Sequence, residues 1–365
     1  MVRIFFLFVV LLVFSAPVMA AYDLPYVGEQ ETYRAMEADT FVHLARDYDL
    51  GFVELRAANP TVDPWLPGAG TKIVLPSRHL LPDAAREGIV INLPEMRLYA
   101  FVNGDDAPTT FPIGVGREGL NTPEGETKII RKKAGPTWTP TQRMRDEDPE
   151  LKPYYPPGPD NPLGTHALYL GWPTYAIHGT NRPFGIGRRI SSGCIRMYPK
   201  NIKQLFEMIP VGTKVEVVNQ PFKLAWIKDR LYLEVHPGLA QAIQMEEYGQ
   251  VQAPKLSEED LKRIIAAAGE YEGRLRWPAI RMAVKERKGV PVEIARRPSH
   301  VVAQENVVEA SLDDIEIDPV VKDSLIDLME DVGEREVEAV QADVAEDIAE
   351  ASRSSRPSSF GKLNP

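Results

Sequence analysis

Cysteine is almost absent from this sequence, which contains one in 365 residues, Cys194. One cysteine cannot form an internal disulfide, so a disulfide-stapled fold is excluded. Its histidines, acidic residues and single cysteine do not show the spacing typical of zinc ligands. The sequence therefore predicts no metal site, and nothing in it calls for a nucleotide or another cofactor.

Long apolar runs are missing after the first 20 residues, so no later segment has the length of a membrane helix. Basic clusters of the kind that bind nucleic acid are missing as well. The net charge of −10 comes from one end, because residues 301–365 carry 17 acidic and 5 basic residues. This acidity predicts a disordered tail with transient helix, and a partner-binding helix is the alternative.

The first 20 residues are typical of a signal peptide. Arg3 is followed by an apolar run over residues 4–14 and by small residues before Ala20, where we expect cleavage. The run is too short for a mature membrane helix, although an uncleaved anchor is the alternative. Export bears on Cys194, because a left-over cysteine in an exported protein is an intermolecular link or a reactive thiol.

Two short stretches carry candidate chemistry, with His178 lying 16 residues before Cys194. A free thiol with a pKa of ~8.5 is only a few per cent thiolate at neutral pH, so an imidazole that takes its proton activates it for attack on an acyl carbon. Gly193 removes a Cβ beside the thiol, and we expect the N–H groups of Gly193 and Cys194 to be free for an oxyanion. Arg196 is a candidate cationic anchor. The alternatives are a small buried cysteine and a structural histidine.

These stretches, His178-Gly179-Thr180-Asn181 and Ser191-x-Gly193-Cys194-x-Arg196, resemble the active-site signature of the L,D-transpeptidases, the YkuD-type catalytic domain. The resemblance covers about residues 88–218. Further matches occur in family order at residues 90–93, 97–99, 111–116, 122–125, 161–164 and 210–215. The family often has His before the Gly-Cys pair, where this chain has Ser192. Any auxiliary role of that His is therefore absent or passes to Ser192 or water, which leaves His178 as the candidate base.

The resemblance implies a periplasmic enzyme without cofactors, in which Cys194 is acylated by a tetrapeptide stem of peptidoglycan and releases D-alanine. The acyl group then passes to an amine, giving a 3-3 cross-link or attachment of an outer-membrane lipoprotein, whereas water as acceptor makes a hydrolase. The implied catalytic residues are Cys194, His178 and Gly179, whose carbonyl orients the ring. The implied substrate-binding and oxyanion residues are Gly193, Arg196, Ser191 and Ser192, although Arg196 could instead only brace the loop.

Two other functions are compatible with the sequence. One is a peptidoglycan-binding scaffold with weak or no catalysis, which would fit the missing His at position 192. The other is a sortase-like transpeptidase, which also uses Cys, His and Arg. The tight Ser-x-Gly-Cys-x-Arg cluster so soon after His178 argues against the second.

Residues 31–76 predict a small β-α-α-β unit, in which Asp39 or Thr40 caps the first helix. This order resembles a LysM module, which implies binding of peptidoglycan glycan. The sequence departs from that family at Ala38, where Gly is usual. The alternative is a small domain that only packs against the enzyme.

We expect five parts: a signal peptide (1–20), the LysM-like module (31–76), a mainly β catalytic domain of sandwich or barrel type (88–219), an α+β extension (220–300) and the acidic tail (301–365). Residues 76–87 are predicted to be a linker. Residues 134–160 contain seven prolines and predict a long irregular loop, either a lid over the cleft or a structural wrap. His236 is expected to be structural.

Overall fold

The computed structural model describes residues 22–102, 104, 106–252 and 256–298. The predicted signal peptide and acidic tail lie outside the described residues. No helix in the described part is long and apolar enough to cross a membrane.

The N-terminal part has the predicted β-α-α-β order. Its elements are β1 (Tyr26–Val27), β2 (Glu31–Arg34), α1 (Phe41–Asp47), α2 (Phe52–Ala58), β3 (Lys72–Leu75) and β4 (His79–Leu80). Strands β2 and β3 pair antiparallel, and Thr40 caps α1 by accepting a hydrogen bond from the His43 N–H at 3.3 Å. The relation to LysM stays a prediction.

The segment predicted to be a linker is part of the fold. Strand β4 pairs antiparallel with β1, and the side chains of His79 and Leu80 are buried. The linker prediction was wrong because the segment has few apolar residues, and its burial depends on partners far away in sequence.

A closed barrel follows. Its elements are β5 (Gly88–Asn92), β6 (Arg97–Phe101), β7 (Thr109–Gly116), β8 (Gly125–Ala134), α3 (Gln142–Glu147), β9 (His166–Leu170), β10 (Ala176–His178), β11 (Arg189–Ser191), β12 (Ile195–Met197), α4 (Pro199–Met208) and β13 (Lys214–Val218). The strand order is β11-β7-β12-β10-β9-β8-β13-β5-β6, and β6 also pairs with β7. This last pairing closes the sheet, as the mainly β prediction expected.

Alternation along the strands fills the barrel. Ile89 and Ile91 on β5 and Val215 and Val217 on β13 are almost fully buried in one apolar cluster. The same cluster contains residues of α1 and α2. All seven residues of α2 are buried, which is typical of a helix covered on every side. The helical module and the barrel therefore share one core.

The C-terminal part is α+β, as expected. It contains β14 (Phe222–Ile227), β15 (Arg230–Val235), α5 (Ala242–Tyr248), α6 (Glu258–Ala268), α7 (Trp277–Glu286) and β16 (Val292–Arg296), with 3₁₀ turns over Leu239–Gln241 and Gly269–Arg274. Strands β14, β15 and β16 form one antiparallel sheet with an apolar cluster of its own.

The proline-rich loop is less irregular than predicted. It contains α3, whose first turn is capped by the Thr141 hydroxyl, and Trp138 forms a β-bridge with Tyr155. Its prolines limit regular structure to these short pieces.

Candidate active site

His178 is the last residue of β10, and Cys194 immediately precedes the neighbouring strand β12. Strands β10 and β12 run parallel, with Ile177 opposite Ile195 and His178 opposite Arg196. Both isoleucines are fully buried, and side chains alternate between the two faces of a strand. His178, Arg196 and Cys194, which immediately precedes β12, therefore share the face turned away from the core.

His178 is fixed in one tautomer. Its ring is almost fully buried, and Nδ1 lies 2.6 Å from the carbonyl oxygen of Gly179. Because a carbonyl only accepts, Nδ1 must carry the proton, which leaves the Nε2 lone pair free. Burial, with a smaller contribution from the Arg196 charge, lowers the pKa of His178 to about 4. The ring is therefore neutral at pH 7 and can act as a base.

Cys194 is half-buried. Its Sγ lies 3.5 Å from the Thr174 carbonyl, to which the thiol can donate. Burial raises the pKa of the thiol, and a hydrogen bond from the Ala176 backbone and the Arg196 charge offset part of this rise. Both shifts favour the neutral forms of the thiol and the imidazole at pH 7.

Ser191 joins the two sides of the nucleophile. Its Oγ donates to the Cys194 carbonyl at 2.6 Å and accepts from the Gly193 N–H at 3.1 Å. The expectation of a free N–H at Gly193 is therefore wrong, because that donor is already bonded, and the Cys194 N–H remains as the candidate oxyanion donor. Gly193 has φ +106°, and a Cβ here would lie 2.8 Å from the Tyr175 ring, so the position requires glycine.

Two supporting residues were not identified from the sequence. Thr122 Oγ1 accepts from the Gly116 N–H at 3.0 Å and donates to the Gly193 carbonyl at 2.8 Å. Arg189 is buried and donates to the Gly116 carbonyl at 3.1 Å and to Asn121 Oδ1 at 2.8 Å. Thr122 belongs to the match at residues 122–125, which predicted only a turn. The residues next to Arg189 in sequence give no signal of its role.

The strained residue Thr174 was also not identified. This β-branched residue has φ +69°, a conformation that is costly for such side chains and that often marks functional sites. Its carbonyl faces the thiol, so the strained turn before β10 helps to place Cys194.

Arg196 lines a cavity of about 300 Å³ next to this face. Its Nε is buried and has no hydrogen-bond partner in the described part of the chain. Ser192 lies on the same cavity wall, and the proline-rich loop forms another wall. The lining residues are Trp138, Met144, Asp148, Leu151, Tyr155, Asp160, Pro162, Asn181, Arg182, Ser192 and Arg196. An underbonded guanidinium in a cavity suits a carboxylate ligand.

Within the described ranges, one group has ligand atoms close enough for a metal ion: His79, Glu95 and Glu234, all within 4.8 Å of one another. The Lys223 ammonium lies 2.9 Å from Glu95 and 2.7 Å from Glu234. Although burial opposes ionisation, this ammonium holds the pKa of Glu95 well below its usual range. Lysine therefore already supplies the positive charge at this position. His236 lies 2.6 Å from Glu234 in the same buried network, which fits its expected structural role.

The barrel carries a neutral imidazole on β10 and a thiol immediately before the adjacent strand β12, which are the groups that cysteine acyltransferases use. The family model of the L,D-transpeptidase catalytic domain matches residues 86–217. The chain is 40% identical over 276 residues to the probable L,D-transpeptidase YbiS of Escherichia coli K12, a match that covers 73% of this chain and 88% of the relative. The chain therefore belongs to the L,D-transpeptidase family.

The chain is also similar to two further proteins. The probable L,D-transpeptidase ErfK/SrfK of Salmonella typhimurium LT2 is 42% identical, over 65% of this chain and 81% of the relative. Among solved structures, the catalytic domain of the Enterococcus faecium L,D-transpeptidase is 23% identical. That match covers 38% of this chain and 100% of the other, with a TM-score of 0.30.

Proposed function

We propose that the chain acts in the periplasm, where Cys194 forms an acyl-enzyme with the tetrapeptide stem of peptidoglycan. The acyl group then passes to an amine, either on another stem, giving a 3-3 cross-link, or on the lysine of an outer-membrane lipoprotein. The observation that carries this proposal is the fixed tautomer of His178, which leaves Nε2 free on the face that also carries Cys194.

The proposed reaction has two steps. His178 Nε2 takes the thiol proton, and Sγ attacks the carbonyl at the L-centre of the diamino acid. The carbon–nitrogen bond to D-alanine breaks, and the imidazolium returns its proton to the departing amine. In the second step the acceptor amine attacks the thioester and loses a proton to His178, so that free thiol and neutral imidazole are regenerated.

The polar and charged groups around the thiol support this proposal. The Cys194 N–H is the candidate oxyanion donor, since the Gly193 N–H is bonded to Ser191. Arg196 has a buried, unbonded Nε beside the cavity, and in the proposal it binds a carboxylate of the stem. Ser192 lies on the wall of the same cavity, and in the proposal it contacts the bound stem.

The first experiment is intact-mass analysis of the mature protein with a purified disaccharide-tetrapeptide. We expect an adduct that corresponds to the donor without D-alanine, and none with Cys194→Ala. His178→Gln should lose the adduct, whereas His43→Gln, at an exposed histidine, should keep it. Folded wild-type protein that gives neither adduct nor free D-alanine would refute the donor assignment and favour the scaffold function.

The acceptor is tested on the acyl-enzyme itself. A second stem, a peptide with the C-terminal lysine of a lipoprotein, and buffer alone are added in separate reactions. The product that forms fastest identifies the acceptor, and fast loss of the adduct in buffer alone would make the enzyme a hydrolase.

A further inference from the structure

The turn between α1 and α2 of the helical module touches the chain on both sides of the nucleophile. We define the module turn as residues 48–51 together with the first two residues of α2, and the nucleophile segment as residues 186–201. Both belong to the part of the chain that shares one apolar core.

The first contact lies before the nucleophile. The N–H groups of Phe52 and Val53 donate to the carbonyls of Ile186 and Gly187 at 3.4 and 3.1 Å. The first N–H groups of a helix have no partner inside it, so the nucleophile segment supplies the acceptors that α2 needs.

Two glycines bring the backbones into contact at this point. Gly187 has φ +73°, and a Cβ on it would lie 2.2 Å from the Cα of Gly51. A Cβ on Gly51 would lie 2.8 Å from the Cα of Gly187. Next to them, the Arg188 guanidinium lies 3.9 Å from the centre of the Phe52 ring and pairs with Glu246 at 2.6 Å. The approach leaves no room for a side chain at either glycine.

The second contact lies after the nucleophile, where α4 begins. Asp49 Oδ1 accepts from Asn201 Nδ2 at 2.9 Å, and Oδ2 lies 3.0 Å from Lys200 Nζ. The Tyr198 hydroxyl donates to the Leu50 carbonyl at 3.3 Å. Asp49 has φ +54°, a conformation that Asp and Asn tolerate better than most residues.

Ser191, Gly193, Cys194 and Arg196 all lie between these two contacts. We propose that the module turn is a positioning element of the active site, which holds both ends of the nucleophile segment so that Cys194 stays aligned with His178. This inference rests on the proposed role of Cys194 as nucleophile. It gives the helical module a part in catalysis that is independent of any glycan binding.

Alignment matters because reacting groups must stay close to their productive geometry, and displacements of about 1 Å cost on the order of 100-fold in rate. The segment between the contacts has only short strands, β11 and β12, of three residues each. Contacts at its ends therefore add to the restraint that these short strand pairings provide.

The test uses the full mature chain with Gly51→Ala. Gly51 has φ −86°, so alanine suits its backbone, and the new methyl group is obstructed mainly by Gly187. We expect kcat for D-alanine release to fall at least tenfold, with KM changed less than twofold. The second readout is the rate of Cys194 alkylation by iodoacetamide from pH 5 to 10. In Gly51→Ala this pH profile should resemble that of His178→Gln, the variant that lacks the imidazole.

Gly273→Ala is the matched control, because its Cβ meets nothing within 4 Å and its φ is not positive. It should leave kcat and the alkylation profile unchanged. A Gly51→Ala protein that has a lower unfolding midpoint, but wild-type kcat and a wild-type alkylation profile, would overturn the inference, because the contact would then be only structural.

Asp49→Gly tests the second contact and replaces Gly51→Ala if that variant does not fold. Glycine suits the positive φ of this position but removes both the acceptor of Asn201 Nδ2 and the charge that faces Lys200. We expect kcat to fall at least threefold, and an unchanged kcat would overturn the inference. Alkylation needs no substrate, so a wild-type enzyme that releases no D-alanine would count against the proposed function alone.

Discussion

Glu54 on α2 holds the positive charge of Arg97 on β6 inside the protein. Its carboxylate accepts from Arg97 Nη2 at 2.7 and 2.9 Å and from the Gly51 N–H at 2.8 Å. The side chains of Glu54 and Arg97 are only 3% and 2% exposed, respectively. Glu54→Gln keeps the shape of this side chain but removes the counter-charge that pairs directly with the buried guanidinium.

Loss of one partner of a buried ion pair typically costs about 3–5 kcal/mol, out of a total stability of about 5–15 kcal/mol. With a urea dependence of about 3 kcal/mol per molar, the unfolding midpoint should fall by at least about 1 M. The measurement is urea unfolding of the mature protein at pH 7, followed by tryptophan fluorescence.

Two further variants make this prediction specific. Glu87→Gln removes a carboxylate from an exposed pair with Lys214 and should leave the midpoint close to that of the wild type. Arg97→Met combined with Glu54→Gln removes both charges and should recover most of the lost stability. A Glu54→Gln protein with the wild-type midpoint would refute the reasoning, because it would mean that Arg97 reaches water.

Three other predictions concern the site. Because the pKa of His178 is lowered to about 4, kcat/KM for D-alanine release should fall on the acid side near pH 4, not near 6.5. The same shift should lower the free energy of unfolding by up to about 3 kcal/mol as the pH drops from 6.5 to 4. Urea titrations of His178→Gln should not show this loss. Because burial raises the pKa of Cys194, its alkylation rate in His178→Gln should keep rising above pH 8.5, and an inflection at or below 8.5 would contradict this. Ser191→Ala removes the acceptor of the Gly193 N–H and the donor to the Cys194 carbonyl and should lower kcat by about 10- to 100-fold at a stability cost of about 1–3 kcal/mol, measured by steady-state kinetics and urea unfolding.

Local signals in the sequence were sufficient for several elements. The side-chain oxygens of Asp39 and Thr40 each predicted an N-cap, and the structure shows it at Thr40. The β-branched runs of β5 and β13 predict strands without knowledge of their neighbours. The motif around Cys194, together with further matches in family order, identified the family before any geometry was known.

The supporting contacts could not be predicted in this way. Burial of His79 on β4 and the role of Arg189 depend on residues that are distant in sequence. The bond from the Gly193 N–H to Ser191 spans only two positions, but it depends on the local backbone conformation. The domain boundary near residue 76 was drawn from composition, but α1, α2 and the barrel fill one apolar cluster, so composition did not reveal the shared core.

The sequence by itself determined the order of elements, the candidate nucleophile and base, and membership of the family, because these depend on residue chemistry and short-range spacing. Only the tertiary structure decided the protonation states of His178 and Cys194. The tautomer of His178 follows from the contact of Nδ1 with the Gly179 carbonyl, and the lowered pKa of His178 and the raised pKa of Cys194 follow mainly from burial. It also decided that the module turn contacts both ends of the nucleophile segment, since side chains about 150 positions apart meet there only when the shared core forms.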